Sequence, residues 1–148
     1  MQQGFFKIID HTTTLYKMIK LRDSGEKFDQ YQHENNMWLR SLEFLKQENN
    51  HLINRLTEVV DKTSDKVFLA HAEHFQNQFI IKNEFMDELK HEVNEQLQLA
   101  REYQKKSVEK AGHPPTFLEI QNNLREQMSY LEKDFTNLRN EFQDYVTR

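Results

Sequence analysis

The apolar positions of this chain recur at alternating intervals of four and three residues, in long unbroken runs. Tyr31, Asn35, Trp38, Leu42, Leu45, Asn49, Leu52, Leu56 and Val59 keep that rhythm without a slip. Phe68, Ala72, Phe75, Phe79, Lys82, Met86, Leu89, Val93, Gln96, Ala100 and Tyr103 repeat it. So do Leu124, Met128, Leu131, Phe135, Leu138, Phe142 and Tyr145. Such spacing sets side chains on one stripe of a helix, and sustained over heptads it is the pattern of helices packed at shallow angles. A weaker run, Phe5, Ile9, Thr12, Tyr16 and Ile19, comes first; its β-branched Thr12 to Thr14 restrict χ1 and favour a helix less.

Helix-breaking residues fall between these runs. The chain holds three glycines and two prolines, at Gly4, Gly25, Gly112, Pro114 and Pro115, and neither type occurs from Glu26 to Ala111. Because glycine costs about 1 kcal/mol and proline about 3 kcal/mol in a helix interior, the pattern predicts helices over about 3–21, 27–61, 65–110 and 116–147. The expected fold is all-α, an antiparallel bundle of long coiled-coil-like helices in one domain, 1–148, with 1–22 a short N-terminal helix able to serve as an interaction arm. Asp23-Ser24-Gly25 is read as the first loop. Between Asp61 and Lys66 there is no apolar residue and the stripe changes phase, so a tight hairpin, with Thr63 or Ser64 as helix cap, is favoured over one continuous rod. Gly112 suits a left-handed C-cap before the prolines, and Thr116 to Glu119 has the spacing of a capping box.

Short connections impose antiparallel neighbours. Turning at about residue 64 sets the second helix against 67–100. Turning at about 113 sets the last helix against 80–110, and turning at Gly25 lays the first along 28–45. The middle is then four helices thick and the 46–80 tip only two, which leaves Phe68, Phe75 and Phe79 to be covered by a second copy or a partner helix; the alternative is that the last helix docks farther along and covers them itself. Phe5, Ile9 and Tyr16 form the other expected contact surface.

Polar residues inside the seams stand where leucine would stabilise more: Asn35, Asn49, Gln78, Lys82 and Gln96. A polar layer at Asn49, Gln78 and Lys82 is expected to fix register at a cost in stability. Asn49 should meet Gln78 and Phe79, and Lys82 should pair with Glu48, Glu141 or Asp144, or extend its ammonium to water.

Composition narrows the chemistry. A net charge of -4 argues against nucleic acid as the main ligand. The absence of cysteine removes disulfides, thiolate metal sites and a cysteine nucleophile, and fits a reducing compartment. No apolar run approaches the roughly 18 residues of a membrane span, and the chain is read as soluble and cytoplasmic. Three glycines leave no room for a phosphate-cradling loop or dinucleotide fingerprint, and no nucleophile elbow occurs, so no cofactor and no catalytic residue is assigned. Two Glu-x-x-His spacings, Glu48 with His51 and Glu88 with His91, invite comparison with di-iron bundles. At ~100° per residue they fall at the edge or outside of their stripes, and no metal ligand is assigned. His71, with His74 one turn on, is read as a packed histidine near the turn, hydrogen-bonded to Glu58.

The segments Asn54 to Val59, Glu73 to Ile80 and Asp87 to His91 resemble small uncharacterised bacterial all-helical proteins, over roughly residues 31–100. That resemblance implies a helical bundle and no particular activity. The function expected is a non-enzymatic interaction or scaffold protein forming a homo-oligomer, a dimer being favoured. A metal-binding bundle of hemerythrin or ferritin type is the alternative, and a small-ligand or lipid carrier a further one.

Overall fold

The computed structural model describes the backbone of residues 2–106 and 115–148, and the side chains of 28–105 and 116–148. Among the described residues there are three helices: α1 (Gln2–Asp61), α2 (Lys66–Lys106) and α3 (Pro115–Val146). The chain is an all-α helical bundle, as the stripes predict.

The loop expected at Asp23-Ser24-Gly25 does not form. α1 runs through it as one helix of 60 residues, about 90 Å long at ~1.5 Å per residue. One glycine costs only about 1 kcal/mol, and without proline nothing there forces a stop. The separate helix over 3–21 and the four-helix middle are therefore replaced by a longer α1 and a three-helix bundle. Phe5, Ile9 and Tyr16 lie outside the residues whose side chains are described.

The hairpin expected near residue 64 is present. α1 closes with tightened bonds from the Lys62 amide to the Val59 carbonyl and from the Thr63 amide to the Val60 carbonyl. The cap of α2 is Asp65 rather than Thr63 or Ser64: its carboxylate accepts the Val67 amide at 3.0 Å, satisfying one of the helix's unpaired first-turn donors. The Thr63 hydroxyl instead accepts the Asp65 amide inside the turn. α3 opens at Pro115, where a fixed φ and a missing amide hydrogen cost nothing; Thr116 thus sits within the first turn. The cap expected at Gly112 and the end of α2 expected at Lys110 lie outside the described residues.

α2 runs antiparallel to both neighbours. Gln96 reaches Phe117 and Phe68 reaches Tyr145, so 28 residues separate the two levels in each helix and the register holds without a slip. The same register carries the last turns of α2 past the start of α3. α3 consequently extends to the hairpin tip, and the expectation of a two-helix tip is corrected. It failed because it placed the turn into α3 at residue 113, whereas the packing level of α3 lies about three turns nearer the tip.

The core follows the seams. The main cluster runs from Leu42 and Met128 through Leu89 and Phe135 to Phe79 and Phe142. A second cluster, Phe28, Ala100 and Phe117 with Tyr31 and Tyr103 beside it, closes the other end. Phe28 stacks on Tyr103 at 5.7 Å and meets Phe117 edge-on at 5.5 Å. At the tip Phe75 and Phe79 meet Phe142 edge-on at 5.5 and 5.2 Å, a geometry the ring quadrupoles prefer. Among the described residues aromatic rings are thus densest at the two ends of the core.

Candidate interaction face and buried polar layers

One amide from each helix meets in a buried layer. Asn35 of α1, Gln96 of α2 and Gln121 of α3 are each at most 1% exposed. Gln121 Nε2 donates to Asn35 Oδ1 at 2.8 Å, and its Oε1 accepts Gln96 Nε2 at 3.2 Å. Gln96 Nε2 also reaches the Phe117 carbonyl at 3.1 Å. The layer continues outward, because Gln121 Nε2 donates to Glu34 as well, and Arg125 grips both Glu34 oxygens at 3.0 and 2.7 Å. The hydrogen bonds that Arg125 donates to Glu34 raise its pKa against the lowering effect of burial. Gln121 was missing from the residues singled out by sequence. Its signal was present: stepping back from Leu124 by three and then four gives Gln121 and Phe117.

Nearer the tip, Asn49 is fully buried and donates to the Phe79 carbonyl at 2.9 Å. Its partner is thus the α2 backbone rather than the half-buried Gln78 side chain. Asn49 Oδ1 and Asn35 Nδ2 are buried without a hydrogen-bond partner. Lys82, its side chain 12% exposed, pairs with Asp134 rather than with Glu48, Glu141 or Asp144. The α3 register explains the change, since it brings Asp134 to within a turn of Lys82. Glu48 pairs with Arg139 at 3.5 Å.

Phe75 and Phe79 are buried beneath α3, and Phe68 is half-buried, stacked on Tyr145 with centroids 4.5 Å apart. Phe75 and Phe79 are therefore core, which corrects their expected role as a contact surface, while Phe68 lies at its margin. The Tyr145 hydroxyl donates to the Phe68 carbonyl, and burial with the nearby Asp65 carboxylate holds the phenol above its ordinary value of 10.0.

The described histidines do not gather into one site. His71 is exposed, its ring 6.1 Å from Tyr145, while Glu58 pairs with Arg55 at 3.7 Å; the expected His71–Glu58 bond is not made. The seam turns on Phe68, Ala72 and Phe75, which leaves His71 outside it. His91 contacts Glu95 at 3.0 Å on the surface. Among the described residues no three His, Asp or Glu side chains converge to hold a metal ion, and no described helix is long and apolar enough to cross a membrane.

An open apolar feature lies between α1 and α3, the two helices that touch least. Phe44 is 60% exposed there and borders two adjoining grooves of about 420 and 370 Å³. Leu45 and Phe135 line the first, and Leu52 and His51 the second. Arg40, Glu48, Glu132 and Arg139 flank them. On the α1–α2 side, a groove of about 430 Å³ near the tip is lined by Ile53, Leu56, Val60, Leu69 and Ala72. Sequence reasoning passed over Phe44 because it lies one position before Leu45 in the seam and reads as the edge of the stripe.

Comparison with protein-family models, with curated proteins and with solved structures finds no match for this chain.

Proposed function

We propose that this chain is a non-enzymatic interaction or scaffold protein that acts in the cytoplasm as a homo-oligomer, a dimer, and binds through its helix faces. The observation that carries the reading is Phe44, a large aromatic ring 60% exposed between two grooves with apolar floors. Exposed apolar surface rimmed by charge is the usual mark of a protein-binding face, and a groove between helices suits a further helix. The interior supports the same reading. Its polar side chains pair across the helix seams, Gln121 with Asn35 and Gln96 and Lys82 with Asp134, an arrangement that specifies register. The lack of cysteine suits a reducing compartment.

Sedimentation velocity of the full, untagged chain across a concentration series tests the proposal. A species of twice the 18.0 kDa chain mass, dissociating on dilution, is the expected result. A single-chain species at every concentration would remove the homo-oligomer from the reading.

A further inference from the structure

The charges around Phe44 are arranged with a symmetry of their own. Arg40 lies four residues before Phe44 and Glu48 four residues after it, and all three line the same groove. α1 and α3 run parallel in a fixed register: Glu34 pairs with Arg125 and Glu48 with Arg139, an offset of 91 residues both times. Phe44 is therefore level with Phe135, and Glu132 and Arg139 lie below and above that level on α3. The rim of the groove thus reads positive then negative along α1, and negative then positive along α3. Met37, 46% exposed, and His51 lie seven residues to either side of Phe44.

We infer that this face binds a second copy of the chain, with α1 crossing its counterpart antiparallel and a two-fold axis passing across the helices at Phe44. The inference rests on the homodimer reading above and assigns its interface. A two-fold axis there brings every residue before Phe44 against the residue equally far after it. Arg40 meets Glu48 of the second copy, and Glu48 meets its Arg40. On α3, Glu132 comes within one residue of the level of Arg139 of the second copy. Met37 falls opposite His51. The four charges that line the groove are then set against charges of opposite sign, and each Phe44 ring has its counterpart's adjoining groove to enter. Isologous contacts of this kind are the commonest route to dimers, and offset aromatic pairs at their centre are favourable.

An axis along the helices would also match the charges, by setting α1 against α3 of the second copy. It would set Phe44 over the groove that Phe135 floors and keep the two copies of residue 44 apart, so cross-linking at residue 44 separates it from the antiparallel arrangement. A partner helix unrelated to this chain has no reason to demand opposite charges at equal distances from one aromatic ring.

The sequence has no cysteine, so a single Phe44→Cys variant carries one thiol per chain. Under mild oxidation, Phe44→Cys is expected to form a disulfide-linked dimer at least tenfold faster than Val67→Cys, an equally exposed position on α2. Antiparallel crossing brings residue 44 close to its own copy, within the ~7 Å between Cα atoms that a disulfide requires. In sedimentation equilibrium, Phe44→Asp and Arg40→Glu are each expected to raise the dimer dissociation constant at least tenfold while circular dichroism stays unchanged. A wild-type dimer that neither substitution weakens, or equal cross-linking at 44 and 67, would overturn this interface and leave the homodimer reading in place. A wild-type chain that is monomeric throughout would overturn both.

Discussion

Replacing Gln121 by leucine should destabilise the bundle, although it puts an apolar side chain into a buried site. Gln121 supplies Asn35 Oδ1 with its 2.8 Å donor, and Asn35 Nδ2 is already unpartnered. The substitution leaves the whole Asn35 amide buried without a hydrogen bond, a cost of about 1–3 kcal/mol. Gln96 keeps the Phe117 carbonyl and Glu34 keeps Arg125, so their losses are smaller. Leucine recovers about 1 kcal/mol through added apolar burial. The Asn35 cost less the leucine gain is about 0–2 kcal/mol, and the smaller losses at Gln96 and Glu34 bring the net loss to about 1–2 kcal/mol, or roughly 3–6 °C in Tm for a chain of this size. The triple variant Asn35→Val, Gln96→Leu, Gln121→Leu removes donors and acceptors together, and should return to within about 1 kcal/mol of the parent or exceed it. Urea unfolding followed by circular dichroism, at equal protomer concentration, measures both. Parental stability in Gln121→Leu, or a triple variant that loses as much as the single losses added together, would refute the reasoning.

Other positions make separate tests. Lys82→Met should stay within about 1 kcal/mol of the parent, because the stem still packs, whereas Asp134→Ala strands a nearly buried ammonium and should cost about 1–3 kcal/mol in the same urea assay. Gly25→Ala should raise stability by up to about 1 kcal/mol if α1 is helical there, as described; a lower Tm would point to the loop that the sequence first suggests. Tyr145→Phe should cost about 0.5–1.5 kcal/mol at neutral pH through the lost bond to the Phe68 carbonyl. The raised phenol pKa means that the folded state holds its proton more tightly than the unfolded one. That stability is complete below pH 10 and is lost as pH rises through the folded pKa, so the phenylalanine variant should show a shallower alkaline decline in a pH series of melts.

The seams were legible because burial follows period. Ala72, Phe75, Phe79, Met86, Leu89, Val93 and Ala100 are all buried, and each lies on the 4-3 stripe read from the chain. The hairpin near residue 64 was legible for the same reason, since the stripe changes phase where apolar residues cease. Three things were not. Gly25 looked like a stop, but one glycine weighs too little against the helical residues on either side of it. The docking level of α3 depends on how the chain crosses from α2, which heptad spacing does not encode; that single error put Lys82 beside the wrong carboxylates and left Phe75 and Phe79 looking exposed. Of the interaction face, nothing in the periodicity distinguishes Phe44 from other stripe-edge residues. It emerges only when α1 and α3 are seen to leave grooves on both sides of it.

Native mass spectrometry of the untagged protein bears most directly on the proposed function, because it reads assembly and bound metal in one spectrum. A metal-free dimer of the 18.0 kDa chain is the predicted result. A monomer at all concentrations, or a species carrying one or two metal ions per chain, would contradict it.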